Sequence, residues 1–80
     1  MYQVKNNRRL ARQLTAHICG RPAIIVDLCD TAAFIDMHGA RTRLRVTAES
    51  AVKYADRNPR LVDQATNALE NALRREGMLD

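Results

Sequence analysis

Between Asn6 and Cys19 the apolar positions Leu10, Leu14 and Ile18 recur every four residues with Ala11 beside them. Lys5, Arg8, Arg9 and Arg12 fall on the opposite side of a helical wheel. The spacing predicts a basic amphipathic helix. An asparagine, Asn6 or Asn7, serves as its N-cap, Gly20 lies just past its end, and Pro22 blocks continuation.

From Ala23 to Thr47 the period becomes two. "AIIVDLCD" and "TAAFIDMH", rich in Ile, Val and Phe, are followed across "HGA" by "RTRLRVT", where arginine occupies every second position. Three antiparallel strands in a meander are expected. With tight turns, Ile24, Val26, Leu28, Ala33, Ile35, Met37, Thr42, Leu44 and Val46 share the core face. The opposite face then carries Ile25, Asp27, Cys29, Phe34, Asp36, His38, Arg41, Arg43 and Arg45.

The second half of the chain returns to helical spacing. Thr47 caps a short helix, "AESAVKYADR", with Glu49 in its first turn. Asn58 caps a last helix that Pro59 opens; its apolar face is Leu61, Val62, Ala65, Ala68, Leu69, Ala72 and Leu73, and Gly77 closes it. The alanines at 65, 68 and 72 allow close approach of a sheet or a partner helix. The expected fold is therefore α+β, in the order α-β-β-β-α-α, with a three-stranded antiparallel sheet covered by helices on one face.

At 80 residues the chain has room for one small domain, residues 1–80. Its 46% apolar and 28% charged residues are those of a folded globule and exclude wholesale disorder. No apolar run is long enough to span a bilayer, so a cytoplasmic protein with no membrane partner is expected. The Arg-rich start lacks the serines of a mitochondrial presequence. The net charge of +4 is concentrated in residues 1–21, which hold five basic groups and no acid. Such a field favours an acidic or polyanionic partner.

Catalytic and metal motifs are missing. His17 and Cys19 have one residue between them, too close for paired zinc ligands, and the two cysteines are expected as small buried or half-buried thiols. Asp36 and His38, two apart on one strand face and near Asp27 and the arginines, are the best candidate for hydrolysis, and nothing orients the histidine. No cofactor and no enzymatic activity are expected. The strand face instead suggests a macromolecular interface, with Phe34 and Arg43 at its centre and Ile25, Asp36, Arg41 and Arg45 around them. Lys5, Arg8, Arg9 and Arg12 form a second, basic surface.

A protein partner, itself acidic or nucleic-acid-handling, accommodates the mixed charge of that face, and a second copy of the chain in a two-fold dimer is one form of it. The alternative is duplex nucleic acid, read by the strand arginines and the basic first helix, with Asp27 and Asp36 opposing the phosphates. In being short, basic and free of catalytic motifs, the chain is similar in style to small accessory and phage-encoded inhibitors of host machinery, anti-CRISPR proteins among them. That likeness covers no aligned residue; it implies an inhibitory binding role and assigns no site.

Overall fold

The computed structural model describes residues 3–38 and 42–79, apart from the side chains of His38 and Thr42. Strand β1 (Arg9–Ile18) and strand β2 (Arg21–Asp27) form an antiparallel hairpin. Helix α1 (Leu28–His38) follows at once, then α2 (Thr42–Arg57), a 3-10 turn (Pro59–Leu61) and α3 (Val62–Arg75).

Among the described residues the order is thus β-β-α-α-α, with a two-stranded sheet, and the expected α-β-β-β-α-α order with a three-stranded meander is overturned. The first segment is a strand because a four-residue spacing is a multiple of two. Leu10, Leu14 and Ile18 share a face in either conformation. Ala16 decides between them: it is fully buried on that face, whereas Ala11, which the helix needs inside, is exposed. Gly20 does not end a helix. Cys19 and Gly20, with φ of 52° and 80°, form a two-residue turn with both central residues left-handed, the geometry that matches the twist of a hairpin.

The second and third expected strands are helices. Asp27 ends β2 and caps α1: its Oδ1 accepts the Asp30 N–H at 2.8 Å, and Asp30 Oδ2 accepts the Val26 N–H at 3.1 Å. Asn7 Oδ1 takes the Cys29 N–H, and the Arg8 carbonyl takes that of Leu28. The first three N–H groups of α1 therefore all have acceptors, which lets the helix begin without a loop. Its inward face is Leu28, Thr31, Phe34 and Ile35, a helical spacing in which two neighbours are buried together. In α2 the core stripe is Leu44, Ala48, Ala51, Val52 and Ala55, so the alternating arginines flank one buried leucine instead of lining a strand.

The last helix follows its expected pattern. Asn58 Oδ1 accepts the Arg60 N–H and Pro59 takes the first position of the 3-10 turn that leads into α3. Ala65, Leu69, Ala72 and Leu73 are buried against the sheet and α2. At the far end Gly77, φ 73°, closes the helix: its N–H donates to the Arg74 carbonyl and that of Met78 to Leu73. The turn brings Met78 and Leu79 onto the outer edge of β1, where the His17 N–H donates to the Met78 carbonyl at 2.6 Å.

Two polar side chains are buried where α-helices meet the N-terminal half. Asp56 accepts the backbone N–H groups of Lys5 and Asn6. Thr66 Oγ1 accepts the Ala11 N–H at 3.0 Å while donating to the Val62 carbonyl, which satisfies β1 where it bulges away from β2 between Arg9 and Leu14. No helix among the described residues is long and apolar enough to cross a membrane.

Candidate functional site

The surface expected from the alternating pattern is not assembled. Ile25 is 1% exposed and Phe34 5%, both inside the core. Asp36 is exposed on α1, and Arg43 and Arg45 are exposed on α2, so the group is spread over three elements. Arg41 lies outside the described residues. Arg43 and Arg45, two apart on a helix, diverge around Leu44, and Arg45 bonds Glu49 within its own helix at 2.9 Å. Asp36 and His38, expected on one strand face, fall in the last turn of helix α1 instead.

The second basic set does not lie along one helix face either. Arg8 is turned to the C-terminal end of α2, donating to the carbonyls of Ala55 and Asp56, where a cation complements the helix dipole. Arg12 is held by Glu70 and Asn67 of α3. Lys5 and Arg9 are exposed, Arg9 opposite Asp27 in the sheet. Cys19 and Cys29 are free and exposed, not buried. Among the described residues no three His, Cys, Asp or Glu side chains group as a metal site.

What the fold does build is a groove between α2 and α3. The short 3-10 connection turns the two helices back on one another. Each helix spends one stripe on the core and a second on this groove. From α2 the walls are Val46, Thr47, Ser50, Ala51 and Tyr54; from the turn and α3 they are Leu61, Gln64, Ala65 and Ala68. Its volume is about 630 Å³. Small residues hold the floor low, since Ser50, Ala51, Ala65 and Ala68 raise no bulky side chain between the helices. The rim carries two large apolar side chains that water reaches freely, Val46 and Tyr54, each 58% exposed.

The charges beside the groove have one sign. Arg43 stands three and four residues before Val46 and Thr47, on the same stripe of α2, and Arg57 stands three after Tyr54. On α3, Arg75 follows Ala68 by seven residues and so returns to the same side. All three are exposed and form no ion pair among the described residues. The acids of these helices point elsewhere. Glu49 pairs with Arg45, Glu70 with Arg12 and Arg74, and Asp63 lies with Glu70 on the far side of α3.

A second apolar area surrounds Met37, 75% exposed, and Ile24, 57% exposed, where α1 crosses β2. One recess beside it is small, about 280 Å³, and another of about 670 Å³ opens among Ile18, Cys19, Arg21, Pro22, Ala23 and Met37 at the hairpin turn.

The groove was partly foreshadowed by the alanines at 65, 68 and 72, whose small size permits close packing of a helix. The α2 wall was hidden, because reading 41–47 as a strand separated Val46 from Ser50 and Tyr54, its neighbours at four-residue spacing. Comparison of the chain with protein-family models, with curated proteins and with solved structures finds no match in any of the three.

Proposed function

We propose that this chain is a non-enzymatic interaction module that docks a protein partner in the α2/α3 groove. The observation that carries the reading is the second apolar stripe of α2, Val46 and Tyr54 above a floor of small residues, left uncovered along the groove. Contiguous apolar surface rimmed by polar groups is the usual mark of an interaction site in a small protein. A solvent-facing tyrosine with an arginine, Arg57, one turn along the helix has the composition of a binding hot spot. The groove walls hold no carboxylate, histidine or cysteine, so they supply recognition instead of acid, base or thiol chemistry. A partner occluded in this way is regulated or blocked by occupancy alone.

Quantitative co-purification from source cells tests the reading with three tagged chains: wild type, Ala68→Arg with Tyr54→Arg, and Asp36→Lys on α1. The expected result is one protein retained by the wild type and by the Asp36→Lys chain and lost from the groove variant, with equal melting temperatures in all three. Loss from the Asp36→Lys chain with retention by the groove variant overturns the assignment.

A further inference from the structure

We infer that the occupant of the groove is an acidic amphipathic helix of the partner. The inference rests on the reading of the groove as a protein docking surface and adds the chemistry of what fills it. Arg57 stands fourteen positions after Arg43 on α2, about 20 Å at 1.5 Å per residue, which matches roughly four turns of a docked helix. A third helix laid between two others sets its apolar stripe on their small residues, and the alanine floor here lets it sit close. Tyr54 and Val46 then pack against its sides.

Charge selects among helices. Both ends of the groove carry arginine that forms no ion pair among the described residues, Arg43 and Arg75 at one end and Arg57 at the other, and no carboxylate of α2 or α3 lies on that stripe. An acidic helix pairs with these cations at the rim; a basic one meets like charge at both ends. A second copy of this chain is disfavoured for the same reason, since groove on groove sets arginine against arginine.

The other route to self-association is also guarded. On the outer edge of β2, Pro22 has no N–H and the Val26 N–H is already taken by Asp30, so few donors remain for a further strand. Duplex nucleic acid would engage the arginines but would leave the apolar floor facing phosphates and sugars.

A display selection on the immobilised full chain tests the inference. The library is an amphipathic helix with a fixed apolar stripe and flanking positions varied among Glu, Gln and Lys. The expected winners are rich in Glu, lose binding to the chain carrying Tyr54→Arg and Ala68→Arg, and bind the Arg43→Glu, Arg75→Glu chain at least about tenfold more weakly, with affinity falling as salt rises.

Neutral or Lys-rich winners that still require the groove overturn the acidic occupant and leave the docking surface standing. Winners indifferent to the groove variant, or no winners, overturn both. Displacement of the selected peptide by a short DNA duplex at equal or lower concentration overturns the helix in favour of nucleic acid.

Discussion

Asp56, at the C-terminal end of α2, holds Asn6 across fifty positions of sequence: its Oδ1 accepts the Asn6 N–H at 2.6 Å, and its own carbonyl accepts from the Asn6 side chain at 3.2 Å. The same carboxylate takes the Lys5 N–H through both oxygens, at 3.2 and 3.0 Å. A negative charge at a helix C-terminus opposes the dipole by roughly 0.3 to 1 kcal/mol. Hydrogen bonds to a charged acceptor contribute about 1.5 to 3 kcal/mol each, so the contacts prevail. Arg8, donating to the adjacent carbonyls, offsets the dipole further.

Removing that acceptor should therefore be costly for so small a fold. Asp56→Ala is expected to lower stability by about 2 to 4 kcal/mol in urea unfolding, since two backbone donors lose a buried charged acceptor. Amide exchange at Lys5 and Asn6 is expected to rise above that of the rest of the chain. Unchanged protection at both amides would show that the N-terminal segment is held by other contacts.

The hairpin turn has a residue that fits it poorly. Cys19 adopts φ 52°, a region in which a side chain other than Asn or Gly costs about 1 kcal/mol or more. Cys19→Asn makes the turn Asn-Gly, the preferred pair for this geometry, and is expected to raise stability by about 1 kcal/mol. Gly20→Ala is expected to lower it by a similar amount. A Cβ at Gly20 meets nothing within 4 Å, so that cost is purely one of backbone conformation. Equal stability of both variants and the wild type would remove the assigned role of the turn.

Glu70 joins β1 to α3 and makes the fold sensitive to acid. The hydrogen bond from Arg12 holds its carboxyl below the ordinary value of 4.5; desolvation opposes this, and the charges of Arg12 and Arg74 add to it. A carboxylate depressed in the folded state stabilises above its unfolded pKa and loses that contribution as pH falls through its folded one. The stability difference between wild type and Glu70→Gln should be constant at neutral pH and shrink below about pH 4.5. A difference that is the same at pH 3 and pH 7 contradicts the pairing.

How far the chain discloses this fold depends on which residues carry the deciding signal. The apolar face of α3 and the closing Gly77 are strong local signals and stand where the spacing puts them, whereas Asn58 and Pro59 open a 3-10 turn three residues ahead of α3. Leu10, Leu14 and Ile18 are ambiguous in principle, because four is close to the helical repeat and twice the strand repeat, and only the burial of Ala16 separates the two. "IVDLCD" looks extended through its branched apolar residues, yet Asp27 and Asp30, three apart, are a helix-start signal that outweighs them. The arginines at 41, 43 and 45 suggest a strand by their alternation. Arg43 and Arg45 stand instead on a helix that follows Leu44, Ala48 and Val52, whose spacing of four decides the burial. The groove was legible only in half, through Ala65 and Ala68, since its other wall depends on α2 being one continuous helix from Thr42 to Arg57.

Groove substitutions should leave the fold alone. Tyr54 and Val46 are each more than half exposed, and Ala68 is half-buried at the opening, so Tyr54→Arg and Ala68→Arg are expected to change stability by less than about 0.5 kcal/mol each. Leu69→Ala, one residue further round α3 and 1% exposed, is expected to cost about 2 to 5 kcal/mol. Thermal melts of the three variants side by side separate the two stripes of α3. A loss from Ala68→Arg as large as that from Leu69→Ala would place the groove floor in the core.

The most direct test of a protein partner in the groove is photocrosslinking in source cells, with a benzophenone amino acid at Gln64 on the groove wall or at Asp36 on α1. A single protein adduct from Gln64 and none from Asp36 is the expected result. Adducts from Asp36 with none from Gln64, or crosslinks from Gln64 to nucleic acid, would contradict it.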